Sequence, residues 1–425
     1  MQKFDSLFLI RIKFMLVWVL AMLGVNLFPA TATGQHQKLI GRIDARLDAS
    51  FNDLIAIRRD LHRNPELSGK EERTAGIVAT RLRSLGYEVK TDIGGHGVIG
   101  ILRGTRERPL VAFRADMDAV LSDAPDPVEF RSDLSGIRHI CGHDIHTTLG
   151  LALAESFAEI REELPGSVML LFQPAEESAT GARAMLADGV FDETKPDAIY
   201  AYHTAPLEIG KIGTMVGGMM AGRDRLIVRI TGDGDLKEAG RRIREAILAI
   251  STVSPTAALT PVADRDFLFV EAGKPVVSKS GDSTQLTAFI MTASDVATEK
   301  AKNKVGEAIT SVAMEGVSFA YEHEVRSIAG VTNDPELTRR AVSSARSILG
   351  ADSVLELDTV IPAFSEDFGS FQNEVPGVFF FLGVSNASKG WVGMPHSPNY
   401  VADEASILIG AKAMAGILLD RLSDK

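Results

Sequence analysis

A single cysteine, Cys141, rules out an intramolecular disulfide and a C-x-x-C zinc site. Positive charge is also short: 45 Lys and Arg stand against 56 Asp and Glu, for a net charge of −11. Neutralising phosphates takes clustered basic side chains, so this balance argues against nucleic acid as a partner. The apolar run Phe14–Phe28 falls short of the roughly 20 residues a membrane helix needs. It follows Lys3, Arg11 and Lys13 and precedes the small-x-small triplet Ala30-Thr31-Ala32, the layout of an export signal. Residues 1–32 are therefore expected to be a signal peptide, and the mature chain periplasmic or secreted with no stable membrane span. A lone thiol surviving in such a compartment is easier to explain if a metal holds it. Internal repeats and low-complexity tracts are absent. What is present, 45% hydrophobic and 24% charged residues over 425 positions, is the composition of a folded chain of two or three domains.

Hydrophobic periodicity predicts helices over 39–63 and 71–86, the latter stopped at Leu85-Gly86. Apolar runs of strand character follow at Val98–Leu102, Leu110–Phe113, Val168–Phe172 and Ala198–Tyr202, with a helix expected at Leu149–Leu164. Strands alternating with helices imply an α/β unit with a mostly parallel sheet and flanking helices. The texture changes after Gly222. Strands at 225–231, 266–271, 284–292 and 317–325 and helices at 236–252 and 295–315 give the order β-α-β-β-α-β, a ferredoxin-like pattern. The α/β texture returns with a helix at 335–349, a strand at 377–383 and a helix at 403–422. The expected division is catalytic domain over 39–222, inserted domain over 223–328 and the rest of the catalytic domain over 329–425.

Metal-ligating residue types crowd into His139-Ile-Cys141-Gly-His143-Asp144-Ile-His146. Cys141 and His143 lie two apart, so in an extended loop both face one side. Gln173-Pro174-Ala175-Glu176-Glu177 follows a strand, and in open α/β sheets ligands bind beyond the carboxyl ends of strands. Two carboxylates there can divide the work, one holding a metal and one carrying a proton. His203 follows another strand, and His396 lies in Met394-Pro-His-Ser-Pro398. One thiolate, one carboxylate and three imidazoles are too many donors for one tetrahedral zinc and suit two neighbouring ions. Asp116 and Asp118, in Arg114-Ala-Asp-Met-Asp, would orient those donors if they face them. Ser365-Glu366-Asp367-Phe368 is a weaker case of the same kind.

The order of these motifs resembles the M20 metallopeptidase family, in its amidohydrolase branch. The matching stretches are Arg59-Asp-Leu-His62-Arg-Asn-Pro65-Glu66-Leu, Arg114-Ala-Asp-Met-Asp118, Cys141-Gly-His143-Asp144, Pro174-Ala-Glu-Glu177, His203, Glu366-Asp367-Phe and His396-Ser-Pro. The resemblance implies an α/β catalytic domain interrupted by a ferredoxin-like lid that often mediates dimerisation. It implies Cys141, His143, Glu177, His203 and His396 as ligands of two divalent ions, Mn²⁺ or Zn²⁺, with Cys141 bridging. It implies Glu176 as general base, with Asp116, Asp118, Asp144, His146 and Glu366 around them. The substrate would be an N-acyl amino acid or related small amide; the alternatives are a dipeptidase-like peptidase and a metal-retaining binding protein without turnover. The lid departs from the family. Where a Gly-Gly-His segment is usual, this chain reads Thr231-Gly-Asp-Gly-Asp-Leu-Lys-Glu-Ala239, and no histidine occurs between His203 and His323. The usual Asn-x-Ile-Pro segment and a following arginine are missing as well, so the usual grip on a substrate carboxylate is not expected here. Basic lid residues such as Lys237, Arg241 or Arg242 are the candidates for supplying the missing positive charge.

Overall fold

The computed structural model describes residues 30–423. The described residues divide into two units at Arg42, and the fold below is that of the unit beginning at Ile43. The signal-peptide call on residues 1–32 lies outside the described residues apart from Ala30–Ala32, which open the helix Ala30–Arg63.

An eight-stranded sheet forms the centre. From edge to edge it runs Glu88–Ile93, Gly97–Arg103, Ser167–Gln173, Leu110–Asp116, Ala198–Glu208, Gly377–Ser385, Ile212–Thr214 and Val354–Glu356. The four strands at its middle are parallel to one another. Leu110–Asp116 and Ser167–Gln173 are buried along their whole length. That is why they read as unbroken apolar runs rather than alternating ones: both faces are covered. The helix His143–Glu159 packs on Leu110–Asp116 and against Ala405–Leu422 and Glu72–Ser84. Asp116 pairs with Gln173, and Arg114 with Ala201, so Asp116 and Gln173, at the ends of their strands, lie level with His203 on the third. His203 was expected just after a strand ending at Tyr202; that strand instead runs on to Glu208, with His203 inside it.

A second sheet is antiparallel, in the order Phe269–Ala272, Ser283–Thr292, Gly222–Gly232, Val317–Ile328. The strand Gly222–Gly232 alternates. Leu226, Val228 and Ile230 are buried with Ile243 and Ile247 of the helix Leu236–Leu248 and Val305 of the helix Asp295–Ser311. Both helices are capped at their starts by side chains: Asp235 accepts from the Glu238 N–H at 2.9 Å, and Ser294 from the Ala297 N–H at 3.0 Å.

One departure that bears on the site is the helix expected at Leu149–Leu164. It starts six residues earlier, at His143, and ends at Glu159. Its first turns carry His143, Asp144 and His146, all buried. Buried polar residues leave no trace in apolar periodicity, so the start was invisible. The chain enters this helix through Gly142 at φ 93°. A Cβ on Gly142 would lie 2.3 Å from Tyr400 Oη and 2.6 Å from Thr204 Oγ1. Gly142→Ala is therefore expected to destabilise the fold by about 2–5 kcal/mol, from left-handed strain plus overpacking. Denaturant unfolding of both proteins measures this, and a loss under about 1 kcal/mol would show that the turn relaxes freely.

Candidate functional site

The structure brings all five predicted donors to one place. Potential ligand atoms of Cys141, His143 and His203 lie within 4.8 Å of one another, as do those of Cys141, Glu177 and His396, and those of His143, Glu176 and Glu177. Cys141 belongs to two of these groups. They come from three sources: the turn into the helix His143–Glu159, the ends of the middle strands, and the loop before Ala405–Leu422. The Glu176-Glu177 pair is presented by a turn in which Ala175 adopts φ 54° and donates its N–H to Glu71 Oε1 at 2.8 Å. His396, at φ 65°, is held by its N–H to the Ile140 carbonyl at 3.0 Å and keeps a half-exposed ring.

Hydrogen bonds decide which nitrogen of each imidazole stays free. His203 Nδ1 donates to the Thr204 carbonyl at 2.7 Å, which leaves Nε2 facing Cys141 Sγ at 3.2 Å. His143 Nδ1 donates to Asp118 Oδ1 at 3.2 Å, and its buried Nε2 has no hydrogen-bond partner. His146 is different. Its Nε2 accepts the Thr204 N–H at 2.8 Å and its Nδ1 donates to Asp116 Oδ1 at 2.5 Å, so both nitrogens are committed. Asp118 also accepts from Ser68 Oγ at 2.6 Å and from the N–H groups of Glu176 and Glu177 at 3.2 and 3.0 Å. It thereby ties the helix start to the glutamate turn. Asp144 faces away from the donors, toward His62 Nδ1 at 2.8 Å and Arg58 Nε at 2.9 Å. Glu366 receives Arg114 Nη2 at 2.8 Å and lies with Glu176 and Asp367 in a further acidic group.

Arg114 is the residue the sequence reading quoted without a role. It is fully buried and donates to Gln173 Oε1 at 2.8 Å, Asp116 Oδ2 at 2.7 Å and Asp367 Oδ1 at 3.2 Å, besides Glu366. The signal available was an arginine inside an otherwise apolar buried strand. Thr204, whose N–H fixes His146 and whose Oγ donates to the Cys141 carbonyl at 2.7 Å, gave no signal at all.

Electrostatically the place is short of cations. Burial, then Glu177 and Glu176, push the Cys141 thiol well above its ordinary value. Burial, then Glu366 and Asp367, raise Glu176 likewise. Burial opposes charge on His143, yet Asp116 and Asp118 outweigh it and hold the imidazole up to about 10. Protons thus occupy the thiol and His143 where the surrounding carboxylates call for positive charge. This donor set fits divalent cations, which would supply that charge in place of the protons: the Cys141 thiol, His143 Nε2 and Glu177 Oε1, the last two buried without a hydrogen bond, would hold them.

The site opens into a cavity of 470 Å³ whose wall includes Met219, Met220, Ile328, Phe364 and Arg223. The lid residues expected to bring positive charge do not reach it. Lys237 and Arg241 line a separate groove, and Arg241 and Arg242 are paired with Glu238 at 2.6 and 2.9 Å. Helix geometry explains the correction, since these residues sit three and four apart on one exposed face and satisfy each other.

A family model described as peptidase family M20/M25/M40 matches residues 112–420. IAA-amino acid hydrolase ILR1-like 5 of Arabidopsis thaliana is 31% identical over 392 residues, spanning 89% of this chain and 89% of the relative. Thermostable carboxypeptidase 2 of Saccharolobus solfataricus is also 31% identical, spanning 88% of this chain and 96% of its own. Among solved structures, the Bacillus subtilis YxeP protein, described as a dinuclear metal binding peptidase from the M20 family, superposes with a TM-score of 0.73 at 26% identity, covering 88% of this chain and 99% of that one. A mostly parallel sheet with its acidic, thiol- and imidazole-rich end, matched over most of its length, makes this chain a hydrolase of C–N bonds and a member of peptidase family M20/M25/M40.

Proposed function

We propose that the chain is a metal-dependent amidohydrolase cleaving the amide bond of an N-acyl amino acid or a related small amide. The observation that carries this reading is the convergence of His143 Nε2 and Glu177 Oε1, both buried and without a hydrogen bond, 3.9 Å apart beside the Cys141 thiol, with His396 Nε2 3.2 Å from the same Glu177 oxygen. Cys141, His143, Glu177, His203 and His396 would hold two divalent ions, with Cys141 between them. Thiolate and imidazole suit zinc, and the carboxylate suits manganese equally. Bound there, the ions would supply Lewis acidity to the attacking water and the scissile carbonyl.

The chain's own residues do the rest. Glu176 takes the water's proton and returns it to the leaving amine. Its affinity for that proton is raised by burial and by Glu366 and Asp367, which favours its carrying the proton between the two steps. Asp118 and Asp116 hold His143 and His146 in one tautomer each, so the donors keep their aim through the cycle. Met219, Met220 and Phe364 give the cavity an apolar wall suited to an acyl or side-chain group. The amino acid conjugate hydrolase among the relatives supports this substrate class, and the carboxypeptidase supports the peptide alternative. Two further proposals accompany the reading: export directed by residues 1–32, and a homodimer through the second sheet, where Val317–Ile328 forms an edge strand.

The test is amine release from a mixed panel of N-acyl amino acids and dipeptides, with the chain loaded with Mn²⁺ or Zn²⁺. Glu176→Gln is expected to lose about 10²–10⁴-fold in kcat while keeping its metal. Dialysis against a chelator is expected to abolish release, and re-addition of metal to restore it. Release that requires a free amino terminus would transfer the site to the dipeptidase reading. Metal binding with no release from any panel member would leave a binding protein.

A further inference from the structure

Arg223 is the one Lys or Arg among the described residues lining the catalytic cavity. It is the second residue of the strand Gly222–Gly232, where the chain enters the antiparallel sheet. Its backbone is clamped on both sides. Ser327 Oγ donates to the Arg223 carbonyl at 2.8 Å, and the next residue, the buried Asp224, takes His323 Nε2 and the Arg326 N–H, each at 2.8 Å. The guanidinium lies over the Phe289 ring, 4.8 Å from its centroid.

Three arginines, Arg223, Arg225 and Arg229, project from the face of this strand opposite the helices. Arg225 pairs with Glu324 at 2.9 Å, and Arg229 reaches Glu322 at 4.0 Å. The Arg223 guanidinium has neither a hydrogen bond nor an ion pair among the described residues, and its Nε is buried without a hydrogen-bond partner. The carboxylates it feels, Glu271 and Glu176, act only at longer range. A guanidinium half withdrawn from water in the cavity wall has given up hydration with only the Phe289 ring in return. An anion delivered into the cavity would restore it.

We propose that Arg223 is the specificity-determining residue of this site, binding a carboxylate of the substrate so that acyl amino acids with a free carboxylate are preferred to their neutral counterparts. The inference rests on the amidohydrolase reading for where the scissile amide lies, with the metal-ligand end of the cavity taking the amide and the Arg223 end the carboxylate. The guanidinium fork suits this role, offering two parallel donors to one carboxylate, while stacking on Phe289 limits the orientations it must give up. It also answers the missing lid groups: the positive charge sits at the base of the second sheet rather than on its helices.

The test compares matched pairs, N-acetyl- and N-benzoyl-derivatives of glycine and phenylalanine and the C-terminal carboxamide of each, by isothermal titration. The metal-loaded Glu176→Gln chain is used so that no turnover intervenes, with and without Arg223→Met. With Arg223 present, the acid is expected to bind roughly tenfold or more tighter than its carboxamide, the size of one charge-assisted hydrogen bond. In Arg223→Met that ratio is expected to fall to within about twofold, and Arg223→Lys, which keeps the charge, should retain most of it. Absence of an acid preference in every pair, or a preference that survives Arg223→Met, overturns the proposal. A role confined to balancing Glu176 and Glu271 would weaken acid and carboxamide equally. Arg223-dependent acid binding without hydrolysis by the unsubstituted chain sinks the amidohydrolase reading alone. Hydrolysis without any acid preference sinks this inference alone.

Discussion

At the carboxyl end of a strand buried from Leu110 to Asp116, the Arg114 guanidinium meets Asp116, Gln173, Glu366 and Asp367 with no exposure to solvent. Without it, Asp116, Glu366 and Asp367, converging from two segments, would face one another in a low-dielectric interior. Removing one member of such a buried ionic cluster costs about 3–5 kcal/mol in general, because the partners left behind cannot be rehydrated. Arg114 does more than neutralise. By holding Asp116 on one oxygen it leaves the other for His146, and His146 in turn receives the Thr204 N–H beside Cys141 and His203. Through Glu366 it reaches the acidic group that raises Glu176. The aim of His146 and part of the proton affinity of the base both descend from this one contact set.

Much of the site was legible because metal-ligand residue types are rare and their clustering is conspicuous. Cys141, His143, Glu177, His203 and His396 stand out by type, and Glu177 also by following a buried strand, and the fold gathers their donor atoms. What the sequence hid was the support. Arg114 looks like an interruption in an apolar run, and Thr204 works through its backbone N–H, which no side-chain pattern reports. The fold was legible for the same kind of reason. Wholly buried strands such as Ser167–Gln173 announce themselves, whereas the edge strands Glu88–Ile93 and Val354–Glu356 are half exposed and carry little apolar signal. The early start of the helix His143–Glu159 was concealed by the histidines and aspartate that make it useful.

The helix Leu236–Leu248 illustrates how a charge count can mislead without geometry. Lys237, Arg241 and Arg242 are the basic residues nearest the departure from the family pattern, yet their helix turns them toward Glu238, Glu245 and the solvent. Arg223 lies before that departure, in a strand whose alternation sends it to the cavity side. Position on the pleat, rather than proximity in sequence, decides which cation the cavity receives.

The account centres on two metal ions held by a defined donor set, and locating them tests it most directly. Crystals of the metal-loaded chain, with diffraction recorded at the zinc and manganese absorption edges, would reveal the ions by their anomalous signal. The account predicts two neighbouring peaks enclosed by Cys141, His143, Glu177, His203 and His396, with His146 touching neither. One peak alone, or a peak coordinated by His146 in place of His143 or His203, would contradict it.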